Sequence, residues 1–234
     1  MKLAAIALLG SILSWPAAAA ADSLIDRLLR IAGLTAAPTQ MRGPGDSVTD
    51  GNLWIAARGG TPAPLTSGGG YRSPVFEPDG SVLALKGNAL LRIAPQGGGG
   101  APVHTTVGVL KLVGFDSGNA DELFVLLDGG FSPLGVLSMK SGKITPLPYD
   151  GKSDAQREML AQIRGQDRVY GNTLVYLKTE TKQGLSRKTE WTDVYVKRGD
   201  AAAQNVSRCD GVSCGQPAMS ADGQRIAFVM SGGP

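Results

Sequence analysis

The sequence predicts an all-β domain. Short apolar runs recur between clusters of turn residues, and the chain carries 33 Gly and 14 Pro to build those turns. The apolar fraction is 42%, which is normal for a folded core and too high for a disordered Gly/Pro-rich chain.

The first residues lie outside that domain. Met1-Lys2 is a short basic start, residues 3–15 form an apolar run, and Ala19-x-Ala21 precedes Asp22. This is the three-part pattern of a secretory signal peptide over 1–21. The run is shorter than the roughly 20 apolar residues that cross a bilayer. No transmembrane segment is expected after cleavage, and no cysteine near the cut offers a lipid anchor. The expected location is periplasmic or secreted.

Residues 22–46 are expected to form a short helix and a linker. Leu24, Ile25, Leu28, Leu29, Ile31 and Ala32 recur at helical spacing over 23–32, and Gly33 stands where the helix would stop. Pro38, Gly43, Pro44 and Gly45 mark the linker. Residues 47–234 are then one β domain, long enough to bury a core.

Within it, strands are expected over 52–57, 81–85 and 89–93, with a short edge strand near Pro64-Leu65-Thr66. Turns at Gly59-Gly60, Asp79-Gly80 and Gly87-Asn88 separate them. Further pairs are expected at 109–115 with 121–127, at 135–139 with 143–147, and at 173–179 with 192–197. The polar stretch 182–190 between the last two reads as a long exposed hairpin. Residues 156–164 fit either a helix or a poorly patterned strand. The final pair is 216–219 and 225–230, around Asp222-Gly223.

Two segments repeat. Pro74-Val75-Phe76-Glu77-Pro78-Asp79-Gly80 followed by 81–85 aligns with Pro217-Ala218-Met219-Ser220-Ala221-Asp222-Gly223 followed by 224–228. They stand about three ordinary propeller-blade lengths apart. Asp-Gly suits a tight turn needing positive φ, so Asp79 and Asp222 read as turn residues rather than catalytic acids.

This frame resembles the WD-like repeat of TolB-type periplasmic β-propeller proteins, in which Pro-x-x-Ser-x-Asp-Gly precedes an Ile-Ala-Phe-like strand. Residues 217–228 match it closely, and 74–85 match with Glu77-Pro78 in place of Ser-x. The resemblance implies a small β-propeller, and counting the segments 70–105, 106–150 and 155–208 plus one blade completed by the N- and C-terminal strands together gives about four blades. Five blades, an open ring, or closure by a dimer are the alternatives, and a homo-oligomer is a possible assembly. The resemblance also implies a protein partner in the cell envelope.

The formal charge of +3 falls by one when Lys2 leaves. Lys and Arg form no dense run, so nucleic acid is not an expected partner. Cys209 and Cys214 flank an Asp-Gly turn and, in an exported chain, read as a disulfide loop. No cofactor and no metal site are expected, since His104 is the only histidine. The acidic loop 116–122 lacks the spacing of an EF-hand, and the Gly97–Gly100 run lacks the ending of a phosphate loop. No catalytic constellation stands out, since a Ser-His-Asp triad would have to use His104. Trp54, Tyr71, Tyr170 and Trp191 are the candidate binding residues, because aromatics are enriched in interface hot spots.

The expected function is a non-enzymatic binding module. The alternative is a hydrolase or lyase acting on envelope carbohydrate or peptide, with acids drawn from Asp116, Asp121, Asp167 and Asp193.

Overall fold

The computed structural model describes residues 48–116, 119–128, 132–149, 152, 154–165, 167–185 and 187–231. The expected signal peptide, the helix at 23–32 and the whole of the linker lie outside them.

The described residues form four antiparallel sheets of four strands each, with one helix. Strands β1 (Asn52–Ala57) and β2 (Ala63–Pro64) come first among the described residues. The first sheet follows, with β3 (Tyr71–Phe76), β4 (Val82–Lys86), β5 (Ala89–Ile93) and β6 (Ala101–Thr105) in sequential order. The second sheet holds β7 (Val109–Asp116), β8 (Asn119–Leu127), β9 (Leu134–Ser138) and β10 (Ile144–Pro146). Helix α1 (Asp154–Arg164) comes next. The third sheet holds β11 (Arg168–Tyr170), β12 (Thr173–Gln183), β13 (Lys188–Arg198) and β14 (Gln204–Asn205). The fourth, shared sheet joins β15 (Cys214–Met219) and β16 (Arg225–Met230) to β1 and β2.

The stretch that fitted two periodicities, 156–164, is helical. Met159, Leu160 and Ile163 fall on one helix face and are buried. The expected hairpin is present: β12 and β13 pair over their full length, from Thr173↔Arg198 to Gln183↔Lys188. The ribbon ends near a fully exposed Leu185.

The sheets pack face to face, and side-chain alternation decides which neighbour each strand meets. Val82 and Ala84 of β4 join a core with Ala227 and Val229 of β16. Leu83 and Leu85, on the other face, join Leu123, Val125 and Leu137 of the second sheet. On β16, Ile226 and Phe228 meet Val175, Leu177, Val194 and Val196 of the third sheet. Phe124 and Leu126 of β8 meet α1 through Met159, Leu160 and Ile163. The sheets therefore follow the order third, shared, first, second, and α1 covers the outer face of the second. Burial on both faces explains why 82–85 is a continuous apolar run rather than an alternating one.

Two polar contacts repeat between neighbouring sheets. Arg225 of the shared sheet donates to the Gly80 carbonyl at 3.3 Å, and Arg198 of the third sheet donates to the Gly223 carbonyl at 3.2 Å. Each Asp-Gly turn thus presents a carbonyl to an arginine from the adjoining sheet. Gly80 sits at φ 89° with the Arg225 guanidinium 2.5 Å from where a Cβ would stand, so both conformation and space call for glycine.

The shared sheet depends on a close backbone approach. A Cβ on Gly51 would lie 2.0 Å from the Met230 carbonyl oxygen. Gly51→Ala is expected to destabilise the fold by about 1–3 kcal/mol, because the β1–β16 edge must shift. Gly99→Ala, with no atom within 4 Å of its Cβ, is expected to stay within about 0.5 kcal/mol. Urea melts of the two variants check this; equal effects would contradict it.

Candidate functional site

The first strand of each sheet, β3, β7, β11 and β15, borders one cavity of about 680 Å³. That size lies within the usual range for small-ligand pockets. Its wall is drawn from residues 73–78, 111–115, 119–120, 168, 170 and 216–221.

The repeated segments shape one side of it. β3 and β15 each carry a register shift at the proline, between Arg72 and Val75 and between Gly215 and Ala218. The preceding residues, Ser73 and Gln216, have φ 52° and 51°. Proline has no N–H for a ladder bond, so a bulge at each copy resolves the pairing. Gln216 then ties the copies together: its Oε1 accepts the Ser73 N–H at 2.6 Å, and its Nε2 donates to the Val48 and Thr49 carbonyls at 2.7 and 3.0 Å. The one charged residue on this side is Glu77.

The strands beside it, β7 and β11, bring two cations. Lys111 on β7 donates to the Ile163 and Gly165 carbonyls, both at 2.9 Å. Arg168 on β11 donates to the Gly165 and Asp167 carbonyls at 3.0 and 2.9 Å and also reaches Gln162 and Ile163. Both cations therefore converge on the C-terminal carbonyls of α1, where the helix dipole favours positive charge. The third charged residue of the wall, Glu77, makes a two-point pair with Arg92 at 2.6 and 2.7 Å. Its charge is answered from outside the cavity.

Tyr170 is the one member of the sequence-selected aromatic set on this wall. Its hydroxyl accepts the Met219 N–H at 3.4 Å. Desolvation pushes the phenol above its ordinary pKa, partly opposed by the nearby Arg168 charge, so the group keeps its proton at neutral pH.

The other three aromatics are placed elsewhere. Tyr71 is buried, donates to the Gly99 carbonyl at 2.9 Å and lies beneath the Lys86 ammonium. Trp54 and Trp191 pack against the core between the shared and third sheets. The Trp54 indole N–H is buried without a hydrogen-bond partner, whereas that of Trp191 donates to Asp193 at 3.0 Å.

Asp193, considered above as an acid, is 2% exposed. Its Oδ1 accepts from the Ser207 hydroxyl and the Cys209 N–H, both at 2.7 Å. Its Oδ2 accepts from Trp191 and, at 2.9 Å, from Asn205. Four donors occupy the carboxylate, which holds the loop entering the Cys209–Cys214 disulfide. Asp121 pairs with Lys140 on the surface, and His104 bonds the Met139 carbonyl at 2.7 Å between the first and second sheets. The side chains of Asp116 and of residues 117–118 lie outside the described set. Among the described residues, no three His, Cys, Asp or Glu side chains gather as a metal site.

No sequence signal pointed to Lys111 and Arg168. They sit in different sheets and meet only through the end of a helix. No family model matches the chain, and no curated protein matches it.

The turns at the cavity rim set a pH response. The Ser81 hydroxyl and N–H hold the Asp79 carboxyl below its ordinary pKa, and the Ser220 hydroxyl does the same for Asp222, helped by the Gln224 N–H. A carboxyl depressed on folding contributes stability above its unfolded value of about 3.9 and loses it as pH falls through the folded value. The melting temperature is therefore expected to fall as pH drops below about 4. The Ser81→Ala, Ser220→Ala double variant should show a smaller fall over that window. An equal fall would contradict the assignment.

Proposed function

We propose that this chain is an exported, TolB-like β-propeller of four blades that acts as a non-enzymatic binding module in the cell envelope. One observation carries the reading: four four-stranded sheets present their first strands to one cavity, and one sheet is shared between the two ends of the described chain. That is how propellers protect sheet edges, by radial repetition and ring closure. The two Pro-to-Asp-Gly segments support the likeness, since both fall on a bulged first strand followed by a second strand. The apolar run at 3–15, the Ala-x-Ala site and the disulfide support export.

A rigid set of sheets carrying exposed connections suits recognition of a protein partner. The β12–β13 ribbon extends furthest beyond its own sheet: β11 pairs β12 only over Thr173–Val175, and β14 pairs β13 only at Tyr195 and Val196. The four donors on Asp193 and the Lys140 pair of Asp121 weigh against those two of the four candidate acids.

Mild crosslinking of the full protein in its native envelope, followed by purification, tests the reading. A specific protein partner is expected, lost when residues 182–190 are replaced by a short turn. Capture of no protein, together with turnover of envelope glycan or peptide, would overturn it.

A further inference from the structure

We propose that the free edge of β12 pairs antiparallel with β12 of a second copy of this chain, about a two-fold axis at Thr181. This goes beyond recognition of another envelope protein and does not rest on it.

The direction of the backbone groups is the first argument. Leu177 and Thr179 of β12 stand opposite Val194 and Thr192 of β13. Both of those residues turn away from β12. The Val194 N–H donates to the Ser207 hydroxyl at 2.8 Å, and the Thr192 N–H donates to the Ser213 hydroxyl at 3.4 Å. Opposed residues of an antiparallel pair either exchange their bonds or both face outward. By alternation, Leu177, Thr179, Thr181 and Gln183 present their N–H and C=O groups on the outer edge of β12. β11 answers that edge only over Thr173–Val175. Among the described residues, nothing bonds this backbone edge further along, and residues 181–183 are exposed. Such an edge is a template for another strand.

The second argument is register. A two-fold pair brings outward residue to outward residue, so its axis passes through one residue. An axis at Glu180 opposes Glu180 to itself and Lys178 to Lys182. An axis at Lys182 opposes Lys182 to itself. Like charges directly opposite are destabilising. An axis at Thr179 sets Gln183 opposite Val175, where β11 already lies. An axis at Thr181 avoids both faults. It opposes Glu180 to Lys182 twice, Thr179 to Gln183 twice, and Thr181 to itself. The second copy's Gly184 then stands opposite Lys178, so its ribbon turns back before reaching Val175.

The third argument is the state of the two charges. Glu180 accepts from Lys178 at 2.9 Å and from the Tyr195 hydroxyl, both through Oε1. Those bonds fix the carboxylate before association and leave Oε2 to accept from Lys182 of the second copy. Lys182 is exposed, and among the described residues no carboxylate pairs with it. The two meet at a position where opposed strands exchange no backbone bonds, which brings side chains closest. A lysine on a strand edge ordinarily repels a further strand; here it selects one whose glutamate lies opposite. The strip buried is narrow, so the association is weak and concentration-dependent.

The test is sedimentation velocity of the purified full protein from about 1 to about 300 μM, a range that covers weak dimers. A monomer–dimer equilibrium is expected within it. Glu180→Lys and Lys182→Glu each set like charges opposite twice, and each is expected to weaken association about tenfold or more. An equimolar mixture of the two variants is expected to restore it, because each then meets the opposite charge in the other. Thr181→Pro removes an outward N–H that the β12–β13 ladder does not use, and is expected to abolish the dimer with the melting temperature unchanged. A monomer throughout the range, a dimer indifferent to Thr181→Pro, or a mixture no better associated than its two components would overturn the proposal. The protein is pure in every arm, so each of those results leaves capture of an envelope partner to its own experiment.

Discussion

Six consecutive partner positions join β1 to β16, from Asn52↔Met230 to Ala57↔Arg225. Closing so long a loop costs conformational entropy, though the cost grows only slowly with length. The pairing offsets it in two ways. It completes the backbone bonds of both strands, and it places Leu53 and Ala56 in different cores, one against the first sheet and one against the third. Gln216 strengthens the junction by spanning from Val48 and Thr49 to Ser73. Because the shared sheet stands between the first and third sheets, loosening this one pairing exposes apolar surface on two neighbours at once.

Outward from that sheet, the packing changes character. Three sheet-to-sheet contacts are built from interdigitated aliphatic side chains. The outer face of the second sheet meets a helix instead. On the third sheet, the face opposite its core carries the Tyr176–Tyr195 pair, only partly buried. The second and third sheets are linked near the cavity by Lys111 and Arg168 on the end of α1. Polar bonds to backbone carbonyls thus take the place that apolar packing holds elsewhere. The same two residues line the cavity, so one local feature serves both the architecture and the candidate site.

Much of the strand order was legible in the sequence because its cause is local. Alternation and turn chemistry mark β1, β4, β5, β12, β13 and β16, and the Asp-Gly turns at 79–80 and 222–223 fall where the repeat puts them. The helix was ambiguous because Met159, Leu160 and Ile163 are few and its other positions are polar or alanine. The cavity was not legible. Its cations come from separate sheets, and a lysine or arginine on a short strand reads as surface charge until a helix end lies beside it. The aromatic criterion separated poorly for a related reason: Trp54, Tyr71 and Trp191 are large apolar groups that a core uses as readily as an interface does. Asp193 looked available because sequence does not reveal that four donors from three segments surround it.

Native-state hydrogen exchange, read on the amides of β1, β4 and β16, tests most directly whether the shared sheet holds the domain together as one unit. If it does, residues 52–57 and 225–230 exchange with the same opening free energy and denaturant dependence as residues 82–86 in the first sheet. Exchange of 52–57 in a separate, lower-energy opening, while 225–230 and 82–86 remain protected, would contradict it.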